Sequence, residues 1–254
     1  LAGVRAEHDK ILAQRASLLK SARAARRSGG VPASMLSSLE VWDAQLAAAA
    51  ARLVAARVDV VARLRPWVMS SYERVSQGQS SARLVYRSSL LVHEGQSEPD
   101  PADEGARTAA EAELADVAAT AARLETVMSR LREREIDRGA NLVGAHRDDL
   151  LLHLGALPAK GFASHGEQWS LALALRLASY EMLRRDVDAY GGDGEPVLVL
   201  DDVFASLDAG RRAALADVVA GAQQVLLTAA VDEDVPARLT GARFRVSASG
   251  VSRE

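Results

Sequence analysis

Residues 197–202 read VLVLDD: four apolar residues run straight into two aspartates. An apolar run of that length reads as a buried strand. Carboxylates at the C-terminal end of such a strand lie where an open α/β sheet presents groups to a ligand. In nucleotide hydrolases an acid in that position helps hold Mg²⁺ on the phosphates. The usual phosphate cradle is a glycine-rich loop ending Gly-Lys-Ser/Thr. This chain has three lysines, Lys10, Lys20 and Lys160, and none follows a glycine.

The rest of the chain divides by pattern. Residues 1–27 read as a helix, with Val4, Ile11 and Leu18 at heptad spacing. Gly29, Gly30 and Pro32 break it. A second helix follows, with Ser37 and Glu40 spaced as a capping box. Leu39, Leu46, Leu53 and Val60 mark one heptad position, and Trp42, Ala49 and Ala56 the other. Such a seam with small residues suits close helix approach. Pro66 is expected to end or kink this helix. Residues 82–92 alternate as a strand, 93–105 form a polar loop, and 106–137 read as a third long helix. Heptad helices on either side of a strand and loop suggest an antiparallel helical arm, with a plain helical bundle as the alternative.

After Gly139 the period changes. Strands are expected at 148–154, 196–201, 223–228 and 242–247, and helices at 168–189 and 209–220. That alternation predicts an α/β fold with a mostly parallel sheet. The expected domains are 1–139, helical, and 140–254, α/β.

Three constellations lie in the second part. In ASHGEQWS, residues 163–170, Ser164 and Gly166 precede or open a helix, with Glu167 and Gln168 in its first turn. The unpaired N–H groups and positive dipole there suit a phosphate; the plain alternative is a cap. Asp201 is a candidate Mg²⁺ ligand, direct or through water, and Asp202 a group to orient or activate water. The alternative for that pair is capping at a strand–helix junction. Ser206-Leu207-Asp208 follows, with Asp208 placed to cap the helix from Ala209. GAHRDD, residues 144–149, is the fourth feature. Arg147 is a candidate phosphate or partner contact, His146 a backbone partner, and His146, Arg147, Asp148 and Asp149 together an ion-pair network fixing the next strand. Strand alternation disfavours a zinc site from His146, Asp148 and His153.

Composition adds limits. At 48% apolar the 254 residues support a core, yet no apolar run approaches the ~18 residues of a membrane span. Zero cysteines exclude disulfides and fit a cytoplasmic location. A net charge of −3 does not announce a nucleic-acid binder. Locally, Lys10, Arg15, Lys20, Arg23, Arg26 and Arg27 form a run without an acid. Lys20, Arg23, Arg26 and Arg27 are the candidate DNA contacts, against the alternative of a solvated helix face.

In order and spacing, SHGEQ, LDDVFASLD and the intervening helix resemble the signature loop, Walker B strand and D-loop of ABC-type ATPase heads. With GAHRDDLLL at 144–152, QVLLTAA at 224–230 and the N-terminal helices, nearly the whole chain resembles the RecF family of SMC-like repair ATPases. The resemblance implies a coiled-coil-like arm domain followed by the second lobe of an ABC-type head, with the P-loop on a first lobe upstream of Leu1. It implies an ATP-dependent homodimer in which Ser164, Gly166, Glu167 and Gln168 meet the partner's nucleotide, with ATP and Mg²⁺ as cofactors. It implies binding to double-stranded DNA and single-strand/double-strand junctions, recombinase loading at gaps, and RecR, RecO and RecA as partners, with no membrane. Asp202 stands where many ABC heads carry Glu, and Asp is usual in the family. Thr228 takes the switch position where many heads carry His. Glu167 and Trp169 depart from the pattern at the signature. The alternatives are a transporter ATPase subunit, against which the long arm argues, and a non-enzymatic dimerisation or structural module.

Overall fold

The structure is a computed structural model that describes residues 2–76, 78, 80–96, 100–186, 195–248 and 250–253, and their side chains except those of Ala2 and Ser206. It divides into two compact units, one of Leu1–Arg65 and Arg83–Ala163, the other of Pro66–Ala82 and Ser164–Glu254.

The first unit is built on helices α1 (Ala2–Arg27), α2 (Ala33–Ser76, to Arg65) and α5 (Val117–Arg138). The heptad seams face inward: Leu39, Leu46, Leu124, Met128 and Leu131 are buried, and Ala47, Ala50 and Ala51 are fully enclosed on α2. Each fully buried large apolar side chain contributes about 1.5–3 kcal/mol. Contacts set the directions. Arg15 meets Asp43 and Arg52 meets Glu7, so α1 runs antiparallel to α2, while Arg15 and Arg26 both meet the last turns of α5 at Glu135, Glu133 and Asp137. Gly139 ends α5 in the left-handed region at φ +64°, and its N–H donates to the Glu135 carbonyl at 2.7 Å. A side chain there would strike α1, with Arg23 Cδ 3.2 Å from the position a Cβ would take. Glycine thus serves both the cap and the packing.

Several local expectations change. α2 starts at Ala33, and Ser37 lies within it, donating its hydroxyl to the Ala33 carbonyl at 3.2 Å rather than capping. Pro66 lies inside α2 and does not end it. The strand expected over 82–92 stops as β1 (Ala82–Arg87), because Ser88 accepts from the Leu90 N–H and opens α3 (Ser89–His93). The single helix expected over 106–137 is two, α4 (Glu104–Ala115) and α5. Asp116 breaks it by accepting the Ala119 N–H at 3.0 Å, an N-cap in mid-pattern. Strands β2 (Asp149–Leu154) and β3 (Leu157–Pro158) complete a sheet of order β1-β2-β3, followed by one broken turn, α6 (Ala159–Phe162). Residues 140–163, at the start of the expected α/β part, group with the helices.

The second unit centres on α7 (His165–Arg184), β4 (Leu198–Asp201), α8 (Ala209–Val219) and β5 (Val225–Thr228). α7 begins three residues earlier than expected, and its predicted end at 189 falls outside the described residues. β4 and β5 are parallel, as the alternation of strands and helices predicts. The strand expected at 242–247 is β6 (Phe244–Ser247), antiparallel to an unforeseen β7 (Gly250–Arg253). Leu173, Leu177, Leu200, Phe204, Leu207, Leu215 and Val219 form the core, with Val75 from the end of α2. One face of the parallel pair is covered by this core. On the other, the cross-strand neighbours Val199 and Leu226 are 62% and 54% exposed.

Candidate functional site

The register of β4 and β5 puts Asp201 beside Thr228. The Thr228 hydroxyl donates to the Asp201 carboxylate at 2.5 Å and accepts from the Asp202 backbone N–H at 3.0 Å. That N–H also reaches the Thr228 carbonyl at 3.2 Å. One threonine therefore fixes the side chain of the first acid and the backbone of the second. Asp202 is the single non-glycine residue with positive φ among the described residues, at +51°. A short polar side chain tolerates the left-handed region better than most. Both carboxylates are exposed at the strand end. Mg²⁺ commonly takes one or two carboxylates plus phosphate oxygens. The Thr228 bond engages one Asp201 oxygen, so this residue suits such an ion.

Ser164 caps α7 through a complete capping box. Its Oγ accepts from the Glu167 N–H at 3.3 Å, while the Glu167 carboxylate accepts from the Ser164 N–H at 2.9 Å and hydroxyl at 2.7 Å. These bonds from Ser164 hold the Glu167 carboxyl below its ordinary range. The Gln168 N–H donates to the Ser164 carbonyl at 2.9 Å, and Trp169 packs on the core. The sequence reading left cap and phosphate loop open for this segment. The cap is present, at a helix entrance where Ser164 and His165 are exposed.

Asp208 caps α8, accepting from the Arg211 N–H at 2.8 Å. Ser206 sits in a single tight turn, Phe204–Ser206, and its side chain lies outside the described set. Phe204 and Leu207 anchor the turn in the core at 1% and 6% exposure.

The GAHRDD residues lie in the other unit. Arg147 donates to the Asn141 carbonyl through Nε at 3.1 Å and Nη2 at 2.9 Å, and His146 Nε2 approaches the same oxygen at 3.4 Å. Asp148 accepts from the Tyr86 hydroxyl and the Ser89 N–H, each at 2.7 Å. Asp149 accepts from the Leu150 N–H. These bonds of the four residues run to backbone groups and the Tyr86 hydroxyl rather than to opposite charges, and Arg147 and Asp149 are exposed. Burial, with the Arg147 and Arg15 charges nearby, pushes the His146 imidazole down to about 4. An unfolded histidine near 6.5 then takes up a proton that the folded one refuses, so folding stability falls as pH drops from about 6.5 toward 4. His146→Gln keeps a donor toward Asn141 but does not titrate. Denaturation midpoints across that range should therefore fall less in the variant than in the parent chain; parallel curves would contradict the burial of the ring.

The basic run lies on α1, and one member is displaced from the surface. Arg15 is 1% exposed and belongs to the core network. Arg26 pairs with Asp137 at 2.9 Å, and Arg23 donates to the Arg138 carbonyl at 3.4 Å. Lys20 and Arg27 are exposed. The sequence reading missed Asn141, whose side chain and carbonyl join α1 to the GAHRDD turn. It also passed over Arg211. A lone asparagine between Ala140 and Leu142 gives no periodic signal, whereas Arg211 stands three residues after a cap.

No family model matches the chain. The DNA replication and repair protein RecF of Beutenbergia cavernae is 57% identical over 254 residues, covering all of this chain and 63% of that protein. The chain belongs to the RecF family. RecF of Renibacterium salmoninarum is 49% identical over 251 residues, and RecF of Kineococcus radiotolerans 53% over 243, covering 62% and 58% of those proteins. The chain thus spans about three fifths of the length of the RecF proteins it matches. Among solved structures, the recombination mediator protein RecF-ATP of the RecFOR pathway matches with a TM-score of 0.71 at 20% identity, over all of this chain and 58% of that one. A second, RecF-ATPrS, gives 0.72 at 21%, over 98% and 57%. At that identity the match speaks for the RecF fold. Among the described residues no helix is long and apolar enough to cross a membrane.

Proposed function

We propose that this chain forms the arm and the second ATPase lobe of a RecF-type DNA-repair ATPase, with the phosphate loop supplied by the rest of a family-length protein. The observation that carries the reading is the pair Asp201 and Asp202 at the open end of a parallel strand, both held by Thr228. Asp201 would hold Mg²⁺ on ATP, which supplies the phosphoryl group and charge neutralisation. Asp202, its backbone fixed, orients or deprotonates the attacking water. The α7 entrance offers N–H donors to the nucleotide of a second copy, making an ATP-dependent homodimer. The exposed Val199 and Leu226 support this division, because parallel sheets are normally covered on both faces. The substrate is double-stranded DNA and its junctions with single strands, with RecO and RecR as partners and RecA loaded at gaps. Lys20 and Arg27, with Arg23 and Arg26 beside them, are the candidate phosphate contacts on the arm.

Ser164→Arg in the full-length protein tests the reading. A long cation at the α7 entrance would obstruct the partner's nucleotide, so dimer formation with a non-hydrolysable ATP analogue should disappear at concentrations where the parent protein dimerises. Sedimentation velocity reads this directly. The 254-residue chain is the reference: lacking Gly-Lys-Ser/Thr, it should turn over no ATP. An undiminished Ser164→Arg dimer removes the sandwich arrangement.

A further inference from the structure

We propose that Arg211 is a positioning residue that locks the entrance of α7 to the loop preceding α8, so that both meet a partner's nucleotide as one surface. The inference rests on the reading of the site given above. Arg211 lies in the first turn of α8, where its N–H donates to Asp208 Oδ1 at 2.8 Å and its guanidinium Nη1 lies 3.5 Å from Asp208 Oδ2. The same guanidinium is laid across Gly166. A Cβ at that position would stand 2.9 Å from Nη1, 3.4 Å from Nη2 and 3.6 Å from Cζ. The side chain is 22% exposed, so this contact is largely enclosed.

Gly166 lies within α7 and has no left-handed backbone. What glycine provides there is room, although it is a poor helix former. That room is filled by Arg211. The Arg211 charge also adds to the Ser164 bonds in holding Glu167 ionised. Asp208, Arg211, Gly166 and Glu167 therefore form one chain of contacts from the α8 cap to the α7 cap. A lysine could meet Asp208 but has no planar group to lie across Gly166.

The test uses the full-length protein. Arg211→Ala should weaken the ATP-dependent dimer by about tenfold or more, read by sedimentation with a non-hydrolysable analogue, where tenfold corresponds to about 1.4 kcal/mol. The melting midpoint of the nucleotide-free protein should stay where it is. Gly166→Ala should fold, because the group it strikes is the mobile end of a side chain, and should weaken the dimer similarly by displacing the guanidinium. Because the two residues act through one contact, the double variant should be no weaker than either single one. Arg211→Lys should fail to restore the dimer. Additive losses, or a normal dimer in Arg211→Ala, overturn the proposal. So does a lowered midpoint with normal assembly of the folded protein, which would make Arg211 a stability residue only. Ser164→Arg separates the two levels: normal dimerisation there discards the underlying sandwich, whereas its loss beside an unaffected Arg211→Ala discards this inference alone.

Discussion

Replacing Asp202 by Asn in the full-length protein is expected to leave ATP binding intact and to cut turnover by about 10²-fold or more, the scale of a lost general base. The substitution is clean for a backbone reason. Asp202 sits at φ +51°, and asparagine accepts that conformation about as well as aspartate. Its N–H still reaches Thr228, so Asp201 keeps its orientation. Only the carboxylate is lost. Alanine or a β-branched residue would add backbone strain and mix two effects. Single-turnover hydrolysis, with nucleotide affinity measured alongside, decides the matter. Unchanged turnover would move Asp202 away from the γ-phosphate. Lost affinity would show that its charge serves binding instead.

Arg15→Met is expected to destabilise the helical unit by about 3–5 kcal/mol, the range for removing one partner of a buried ion pair. The melting midpoint should fall by about 10 °C, at about 2–4 °C per kcal/mol for a chain of this size. Arg15 donates through Nε to Asp43 at 2.6 Å, through Nη1 to Asn141 at 2.5 Å and through Nη2 to Glu135 at 2.6 Å. Asp43 is 4% exposed and Glu135 not at all, so truncation leaves Glu135 buried without its cation and Asp43 with Arg132 alone. Burial alone would lower the Arg15 pKa, but the Glu135 and Asp43 carboxylates outweigh it and raise it above the usual value. The guanidinium therefore remains charged at every working pH. Lysine should not rescue, since one ammonium cannot reach three divergent acceptors. Replacing Arg15, Asp43 and Glu135 together by apolar residues should recover only part of the loss. Glu135 also accepts from the Leu142 N–H at 2.7 Å, which would lose its partner, and Arg132, which donates to Asp43 at 2.6 Å, would keep only Glu40 at 3.2 Å. Calorimetric melting checks each variant. A midpoint within two or three degrees of the parent would mean that water reaches the site, by the same conversion.

What the sequence by itself determined is what local physics specifies. The strand ending in Asp201, the cap at Asp208, the helix opened by Ser164 and the heptad seams of α1, α2 and α5 all follow from periods and caps spanning a few residues. The order of these pieces was enough for the family. Local signals also misled where a cap overrode a period. Asp116 divides one heptad pattern into two helices, and Ser88 turns the end of an alternating run into α3. Only the tertiary structure decided which charges are surface and which are core. Arg15 stands in an acid-free basic run, yet it is buried by partners 28, 120 and 126 residues away. Tertiary packing also laid Arg211 on Gly166 and brought Thr228 to Asp201, 27 residues apart. Periodicity reports which face of one element is apolar. It says nothing of which polar group on another element will neutralise a charge on that face, because that pairing exists only once the chain has closed.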